Sequence, residues 1–144
     1  MPEQTTSSID IDATPEQVMA VIVDFEDYPA WVQGMKKVEV VERSADGRAE
    51  QVHFELDAGV KDAYTLAYDY ADPHTLHWHL VDGKLMRAMD GTYELAEAGS
   101  RTHVTYRLAV DLAIPMIGML RRKAEKVIID TALKGLKKRV ESQR

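Results

Sequence analysis

The sequence contains no cysteine, no long apolar run and no overall excess of positive charge. Without cysteine the chain has no disulfide, no cysteine-ligated zinc and no thiol nucleophile. The longest uncharged stretch near the C-terminus, residues 112–120, is nine residues long and includes a proline, whereas a membrane-spanning helix needs about 20 apolar residues. The first dozen residues lack the basic and apolar segments of a secretory signal. We therefore expect a soluble, cytoplasmic protein.

The residues that are present have the composition of a globular domain. The chain has 144 residues, of which 45% are hydrophobic and 29% are charged, and this length is typical of one domain with one core. We therefore predict a single domain spanning residues 1–144. The net charge of −6 argues against a protein that coats nucleic acid.

Charge is unevenly distributed along the chain. Residues 115–144 hold nine Lys/Arg and three Asp/Glu, a net charge of +6, and residues 1–114 carry a net charge of −12. Two interpretations are open. The basic residues can solvate a terminal helix and offset its dipole, or they can form a face that docks on an anionic surface.

The spacing of apolar residues predicts an α+β fold. Residues 5–12 alternate as a strand, and Thr14, Pro15 and Gln17 form a helix start with a capping box. After a short second helix or turn, the alternation of apolar and polar residues predicts six strands, at residues 36–44, 49–57, 60–71, 75–82, 85–97 and 101–112. A long helix follows from Pro115 to about Val140. Connections this short allow only antiparallel neighbours, so we predict a meander curled around the long helix.

Alternation along the strands determines which side chains face that helix. The inward set is predicted to be rich in tyrosine, with Tyr64, Tyr68 and Tyr106 among its members. Buried tyrosines need partners for their hydroxyls, so several of them are easier to place around a ligand cavity than in a dry core. The alternative is that they reach solvent at the rim of the sheet. On the helix, the predicted buried stripe is Met116, Ile117, Leu120, Ala124, Val127, Ile128, Thr131 and Gly135. Ile129, Leu133, Leu136 and Val140 are predicted to widen this apolar arc in the last turns.

The stretch from Ala13 to Trp31, ATPEQVMAVIVDFEDYPAW, resembles the opening of the polyketide cyclase/dehydrase family of the START-like (SRPBCC) superfamily. Residues 91–95, the strand at residues 102–108 and the closing helix resemble the same family, so the resemblance covers essentially the whole chain. It implies a helix-grip fold, in which a seven-stranded antiparallel sheet wraps around a long C-terminal helix. Two short helices lie between strands 1 and 2, and a deep hydrophobic cavity separates sheet and helix.

Function is less well defined by this resemblance, because the superfamily includes polyketide cyclases, lipid-transfer domains, hormone receptors, quinone-binding chaperones and a ribosome-association toxin. We predict a carrier or binding protein for a small hydrophobic ligand, such as a polyketide, a lipid or a quinone. The expected ligand-binding residues are Trp31, Phe54, Leu56, Tyr64, Leu66, Tyr68, Trp78, Tyr93 and Tyr106, together with Met116, Leu120, Ala124, Val127 and Ile128 of the helix. Trp31 and Tyr28 are expected near the mouth of the cavity.

The alternative function is an aromatic polyketide cyclase or dehydrase that acts in the same cavity. By parity the histidines on strands face outward, and His74 lies in a turn, so no histidine base is expected to reach the cavity. Arg87 and Tyr93 lie an even number of positions apart on one strand, so both are expected to point inward. The candidate catalytic groups are Arg87, Tyr64 and Tyr93. A position at the rim, from which Arg87 reaches solvent, is the other possibility.

Neither a metal nor a cofactor is expected. His77 and His79 share one strand face, but a third ligand is missing. The glycines are expected in turns and caps rather than in a phosphate loop. A third hypothesis of function assigns the basic C-terminal helix, with Lys134, Lys137 and Lys138, to contact with a ribosome or a membrane surface.

Overall fold

The computed structural model describes residues 4–57, 61–113 and 118–143. Its strands are β1 (Thr5–Ile11), β2 (Met35–Arg43), β3 (Ala49–Asp57), β4 (Lys61–Asp72), β5 (Thr75–Gly83), β6 (Met86–Ala98) and β7 (Arg101–Leu112). Its helices are α1 (Pro15–Ile22), a 3₁₀ helix (Phe25–Ala30) and α2 (Gly118–Ser142). The described helices include none that is both long and apolar enough to cross a membrane.

The seven strands form one antiparallel sheet in the order β1-β7-β6-β5-β4-β3-β2. Strands β2 to β7 follow one another as a meander, as their short connections predict. The first strand pairs with the last, so that Thr5 lies opposite Leu108 and Ile11 lies opposite Thr102. The predicted seven-stranded sheet with a long C-terminal helix and two short helices between the first two strands is confirmed.

The start of α1 is fixed by the predicted capping box. The Thr14 side chain accepts a hydrogen bond from the Gln17 backbone N–H at 3.2 Å, and the Gln17 side chain accepts one from the Thr14 N–H at 2.9 Å. These bonds satisfy two backbone donors that a helix start leaves unpaired. Val18 and Ile22 are fully buried and hold α1 against the rest of the molecule.

The inner face of the sheet carries the even-numbered residues that alternation predicts for β3, β4, β5 and β7. Val52, Leu76 and Leu108 are completely buried there. Helix α2 packs across this face and contacts β1 and β7. Burying the apolar side of a twisted sheet under a helix supplies the main stabilisation of such a fold.

The predicted buried face of α2 is wrong in its first half. Val127 is 60% exposed and Ile128 is 39% exposed, so neither covers the interior. Helix α2 buries Glu125 together with Ile129, Leu133, Leu136 and Val140, the four residues that were predicted to widen the apolar arc in its last turns. Their spacing of four, four, three and four residues is a helical stripe rotated away from the predicted one. The rotation brings a glutamate into the core, which a pattern of apolar residues cannot reveal.

Candidate ligand-binding site

Nine of the ten aromatic residues form one continuous cluster between the sheet and the helices. Within it, the ring centroids of Tyr93 and Tyr106 are 4.6 Å apart, and those of Phe25 and Tyr68 are 4.5 Å apart. Centroid separations of this size are typical of favourable tilted and edge-to-face contacts. The members of this aromatic cluster are Phe25, Tyr28, Trp31, Phe54, Tyr64, Tyr68, Trp78, Tyr93 and Tyr106.

Most of the tyrosine hydroxyls in the aromatic cluster are not used by the protein. The Tyr28 hydroxyl donates a hydrogen bond to the Ile22 carbonyl oxygen, and outside the cluster Tyr70 donates to the Ala49 carbonyl oxygen at 2.7 Å. Within the described part of the chain, no hydrogen bond engages the hydroxyls of Tyr64, Tyr68, Tyr93 or Tyr106. The side chains of these four residues are nonetheless buried or half-buried. Their hydroxyl oxygens are not among the fully buried polar atoms of the described residues that lack a partner, so each keeps some contact with solvent. Four such hydroxyls in an apolar wall mark a surface that can receive a polar ligand atom.

Burial also decides the protonation of these tyrosines. Desolvation raises the pKa of Tyr64, Tyr68, Tyr93 and Tyr106 well above the usual value, and it does the same for Tyr28. A phenol that resists ionisation remains a hydrogen-bond donor at neutral pH and cannot act as a base. The aromatic cluster therefore offers neutral donors set in an apolar wall.

Trp31 joins the aromatic cluster to α2. Its ring and carbonyl oxygen lie against Gly135, where an added Cβ would come within 3.1 Å of the Trp31 carbonyl oxygen. The Trp31 Nε1 is buried without a hydrogen-bond partner among the described residues. This indole N–H is thus a fifth unused donor.

Gly91 makes room for the Trp78 indole. The two residues are register partners on β6 and β5, and a Cβ added at Gly91 would lie less than 3.0 Å from Cε2, Cζ2 and Nε1 of Trp78. Glycine inside a strand is otherwise unfavourable, and it commonly marks a close approach of this kind. The expectation that the glycines lie in turns and caps is therefore wrong for Gly91 within β6 and for Gly135 within α2.

We expect Gly91→Ala to lower the free energy of unfolding by about 1–3 kcal/mol, because the new methyl group displaces Trp78 from its ring contacts. Chemical denaturation of this variant, of Trp78→Phe and of the double variant measures the coupling between the two positions. The smaller phenyl ring leaves space for the methyl, so the double variant should lose less stability than the sum of the single losses. Thr92→Ala, one residue along on the outer face, is the matched control, with an expected change within about 0.5 kcal/mol. Strictly additive losses would contradict this account.

Arg87 points away from the aromatic cluster. Its side chain is 63% exposed, and its guanidinium lies 3.6 Å from the Asp111 carboxylate. Strand β6 has a register shift between Met86 and Ala88, so Met86 and Met89 are both buried while the two residues between them face outward. The extra residue breaks the strict alternation of inward and outward side chains, from which the inward position of Arg87 was predicted. Arg87 therefore does not reach the interior, and of the two positions considered for it the structure shows the one that reaches solvent.

The strand histidines lie on the outer face, as predicted. His77 Nε2 lies 2.8 Å from the Asp90 carboxylate, and His103 Nδ1 lies 2.7 Å from that of Asp10. His53 Nδ1 is 3.1 Å from the Thr65 hydroxyl. Across the described ranges, no three potential ligands from histidine, aspartate and glutamate come together as they would to hold a metal ion.

The other predicted ligand-binding residues divide into three groups. Phe54, Leu66 and Trp78 are buried on the inner face, and Leu56 and Ala124 are half-buried. Val127 and Ile128 are on the outside of α2, as described above. Met116 lies outside the described residues, and so does the side chain of Leu120.

Glu125 is a buried polar residue that the sequence patterns did not identify. Its two carboxylate oxygens accept hydrogen bonds from the Thr5 hydroxyl at 2.6 Å and from the Val110 backbone N–H at 2.7 Å. Val110 lies two residues beyond the last described β7 residue that pairs with β1, and the carboxylate supplies the acceptor for its N–H. The available signal was its spacing, because extending the stripe of Ile129, Leu133, Leu136 and Val140 back by one turn reaches Glu125.

An open groove of about 810 Å³ lies on another part of the surface, between α1, the 3₁₀ helix and the β2–β3 turn. The Arg43 guanidinium and the Glu26 carboxylate, both among its lining residues, are 3.5 Å apart. The groove shares Phe25 with the aromatic cluster but contains none of the four tyrosines with free hydroxyls. It is therefore separate from the candidate site.

Comparison with known proteins supports the architecture. A family model described as polyketide cyclase / dehydrase and lipid transport matches residues 2–141. A START superfamily protein from Mycobacterium smegmatis is 22% identical and superposes with a TM-score of 0.93 over 99% of each chain. The Zhui aromatase/cyclase from a Streptomyces species is 15% identical, with a TM-score of 0.74 over 96% of this chain and 93% of that one. The comparison with curated proteins gave no match.

Proposed function

Because the chain belongs to the polyketide cyclase/dehydrase and lipid transport family, we propose that it binds a small hydrophobic ligand against the aromatic cluster and carries it unchanged. Membership of this family was the resemblance expected from the sequence, and it is confirmed. The observation that carries the proposal is the set of four inward-facing tyrosines, Tyr64, Tyr68, Tyr93 and Tyr106, whose hydroxyls have no hydrogen-bond partner in the described part of the protein. An apolar wall with a few convergent polar groups is the usual composition of a small-molecule site.

The chemistry of these groups specifies the kind of ligand. The four hydroxyls and the Trp31 N–H are neutral donors, so they complement acceptor oxygens rather than a cation. Flat rings in the wall favour a ligand with flat rings of its own. A conjugated carbonyl compound, such as a quinone or an aromatic polyketide, meets both requirements.

A cyclase that acts at the aromatic cluster is less well supported. A cyclase needs a group that removes or delivers protons at the polyketide chain, and Arg87 and the strand histidines lie outside the interior. The inner tyrosines can donate hydrogen bonds, but their raised pKa values keep them protonated, so they neither act as bases nor release a proton readily. Likeness to the aromatase/cyclase at 15% identity supports the fold alone.

The test compares naphthoquinone with naphthalene, which share a ring skeleton and differ in the two carbonyl groups. Binding is followed by the fluorescence of Trp31 and Trp78, both of which belong to the aromatic cluster. The double variant Tyr93→Phe/Tyr106→Phe should bind naphthoquinone at least about fivefold more weakly, because each hydrogen bond contributes about 1 kcal/mol. Its affinity for naphthalene should not change.

Tyr70→Phe is the matched control, because the Tyr70 hydroxyl is bonded to Ala49 outside the aromatic cluster; it should leave both affinities unchanged. Failure of the wild-type protein to bind either compound, with no co-purified molecule in native mass spectrometry, would overturn the proposal. Conversion of a poly-β-keto substrate by the purified protein would establish the cyclase instead.

A further inference from the structure

A single stripe of exposed side chains runs along the outer face of α2. It consists of Met119, Lys123, Val127, Thr131, Lys134 and Lys138, and all six residues are exposed. The steps of three or four residues between them keep them on one side of the helix. At about 1.5 Å per residue the stripe is about 28 Å long.

The lysines of this α2 stripe are not used in the fold. Within the described residues, no hydrogen bond or ion pair engages Lys123, Lys134 or Lys138. Neighbouring basic residues form ion pairs: the Lys126 Nζ lies 2.8 Å from the Asp130 carboxylate, and the Lys137 Nζ lies 2.7 Å from the Glu141 carboxylate. The three free ammonium groups therefore project into solvent together.

Exposed apolar side chains interrupt the row of lysines. Met119 is 74% exposed and Val127 is 60% exposed, and both are among the most exposed large hydrophobic residues of the described chain. Scattered exposed hydrophobics are common on protein surfaces, but these two lie in line with three unpaired lysines. Lysines combined with aliphatic side chains on one helix face are typical of helices that lie on a lipid surface.

The charge of the whole chain supports an orientation with α2 toward an anionic surface. Residues 1–114 carry a net charge of −12 and residues 115–144 carry +6. An anionic bilayer repels the first part and attracts the second, so electrostatics alone turn the molecule with α2 toward the lipid.

We propose that the α2 stripe docks the protein on the surface of an anionic lipid bilayer, with α2 parallel to the membrane plane. Lys123, Lys134 and Lys138 contact lipid phosphates, and Met119 and Val127 enter the region between headgroups and acyl chains. An RNA partner fits less well, because the stripe contains neither aromatic residues for base stacking nor arginine. Docking does not depend on whether the aromatic cluster holds a ligand.

The test is co-sedimentation of the full chain with vesicles of equimolar phosphatidylcholine and phosphatidylglycerol at low salt. We expect binding to these vesicles and none to pure phosphatidylcholine. Reversal of all three lysines, in Lys123→Glu/Lys134→Glu/Lys138→Glu, should weaken binding by about 100-fold or more, since each lysine near such a surface contributes about fivefold. Val127→Ser should weaken binding by about threefold through loss of apolar burial.

A matched control reverses three exposed lysines outside α2, Lys36→Glu/Lys61→Glu/Lys84→Glu, which alters the net charge by the same amount. If this control loses binding to the same extent, overall charge is responsible and the stripe has no special role. Absence of vesicle binding at low salt also overturns the proposal. So does a wild-type protein that binds RNA but not vesicles, with the RNA binding lost in the α2 triple variant. None of these three results affects naphthoquinone binding, so failure here is distinguishable from failure of the ligand-binding proposal.

Discussion

Above about pH 10 the protein should lose stability steeply. Five inward-facing tyrosines keep their protons in the folded state at this pH, whereas they ionise in the unfolded state. Desolvation raises the pKa of Tyr28, Tyr64, Tyr68, Tyr93 and Tyr106 in the folded protein, whereas an unfolded tyrosine titrates near pH 10. Below that pH both states keep the proton and stability is unaffected. Above it only the unfolded state releases protons, so the free energy of unfolding falls by about 1.4 kcal/mol per pH unit for each such tyrosine.

Five such groups acting together remove about 7 kcal/mol per pH unit, which is comparable with the whole stability of a typical domain. Tyrosinate absorbance and far-ultraviolet circular dichroism should therefore change together, in one cooperative transition. The variant Tyr93→Phe/Tyr106→Phe should unfold at higher pH, since two of the linked groups are gone. Gradual appearance of tyrosinate in a protein with unchanged circular dichroism would show that the hydroxyls are in contact with bulk solvent.

Replacement of Glu125 by alanine should lower the free energy of unfolding by about 3 kcal/mol or more. The substitution leaves the Thr5 hydroxyl and the Val110 N–H without their acceptor inside the protein, and each unsatisfied buried group costs about 1–3 kcal/mol. For a chain of this size we expect the melting temperature to fall by about 10 °C. Thermal and denaturant unfolding of the variant measure the effect directly.

Glu125→Gln is the informative control for this prediction. The amide oxygen can accept from the Val110 N–H while the amide nitrogen donates to the Thr5 oxygen, because a hydroxyl both donates and accepts. Glutamine should therefore retain most of the stability. If glutamine and alanine are equally damaging, charge rather than hydrogen-bond pairing is what the site requires. Equal stability of all three proteins would show that the carboxylate does not bridge α2 to β1 and β7.

Most of the fold could be predicted from the sequence because local signals and overall packing agree. The capping box at Thr14 fixes the start of α1 within one residue, and regularly spaced turn sequences separate the six strands of the meander. Alternation assigns the inner face of β3, β4, β5 and β7 correctly because those strands are half-buried, with one face toward the core. The aromatic cluster is therefore largely visible in the sequence, with the exception of Phe25.

The errors occur where a local irregularity or a buried polar group breaks the pattern. One extra residue in β6 turns Arg87 outward, and alternation carries no sign of such a shift. Glu125 is charged and therefore looked like a surface residue, although its hydrogen bonds to Thr5 and Val110 make its burial tolerable. Once Glu125 is assigned to the core, Val127 falls on the opposite side of α2. Correcting this one assignment therefore moves Val127 from the predicted ligand site to the α2 stripe.

The pairing of the first strand with the last also has consequences for how the chain folds. Residues of β1 meet their partners in β7 only after almost the entire meander has been made, with Thr5 opposite Leu108. Closing so long a loop costs chain entropy before any contact compensates for it, and topologies dominated by such distant contacts fold slowly. On the ribosome, β7 emerges after every other strand of the meander, and α2 emerges later still. We expect β1 and α2 to join the sheet in the final step of folding, so that the tyrosine-lined interior stays open to water until synthesis is nearly complete.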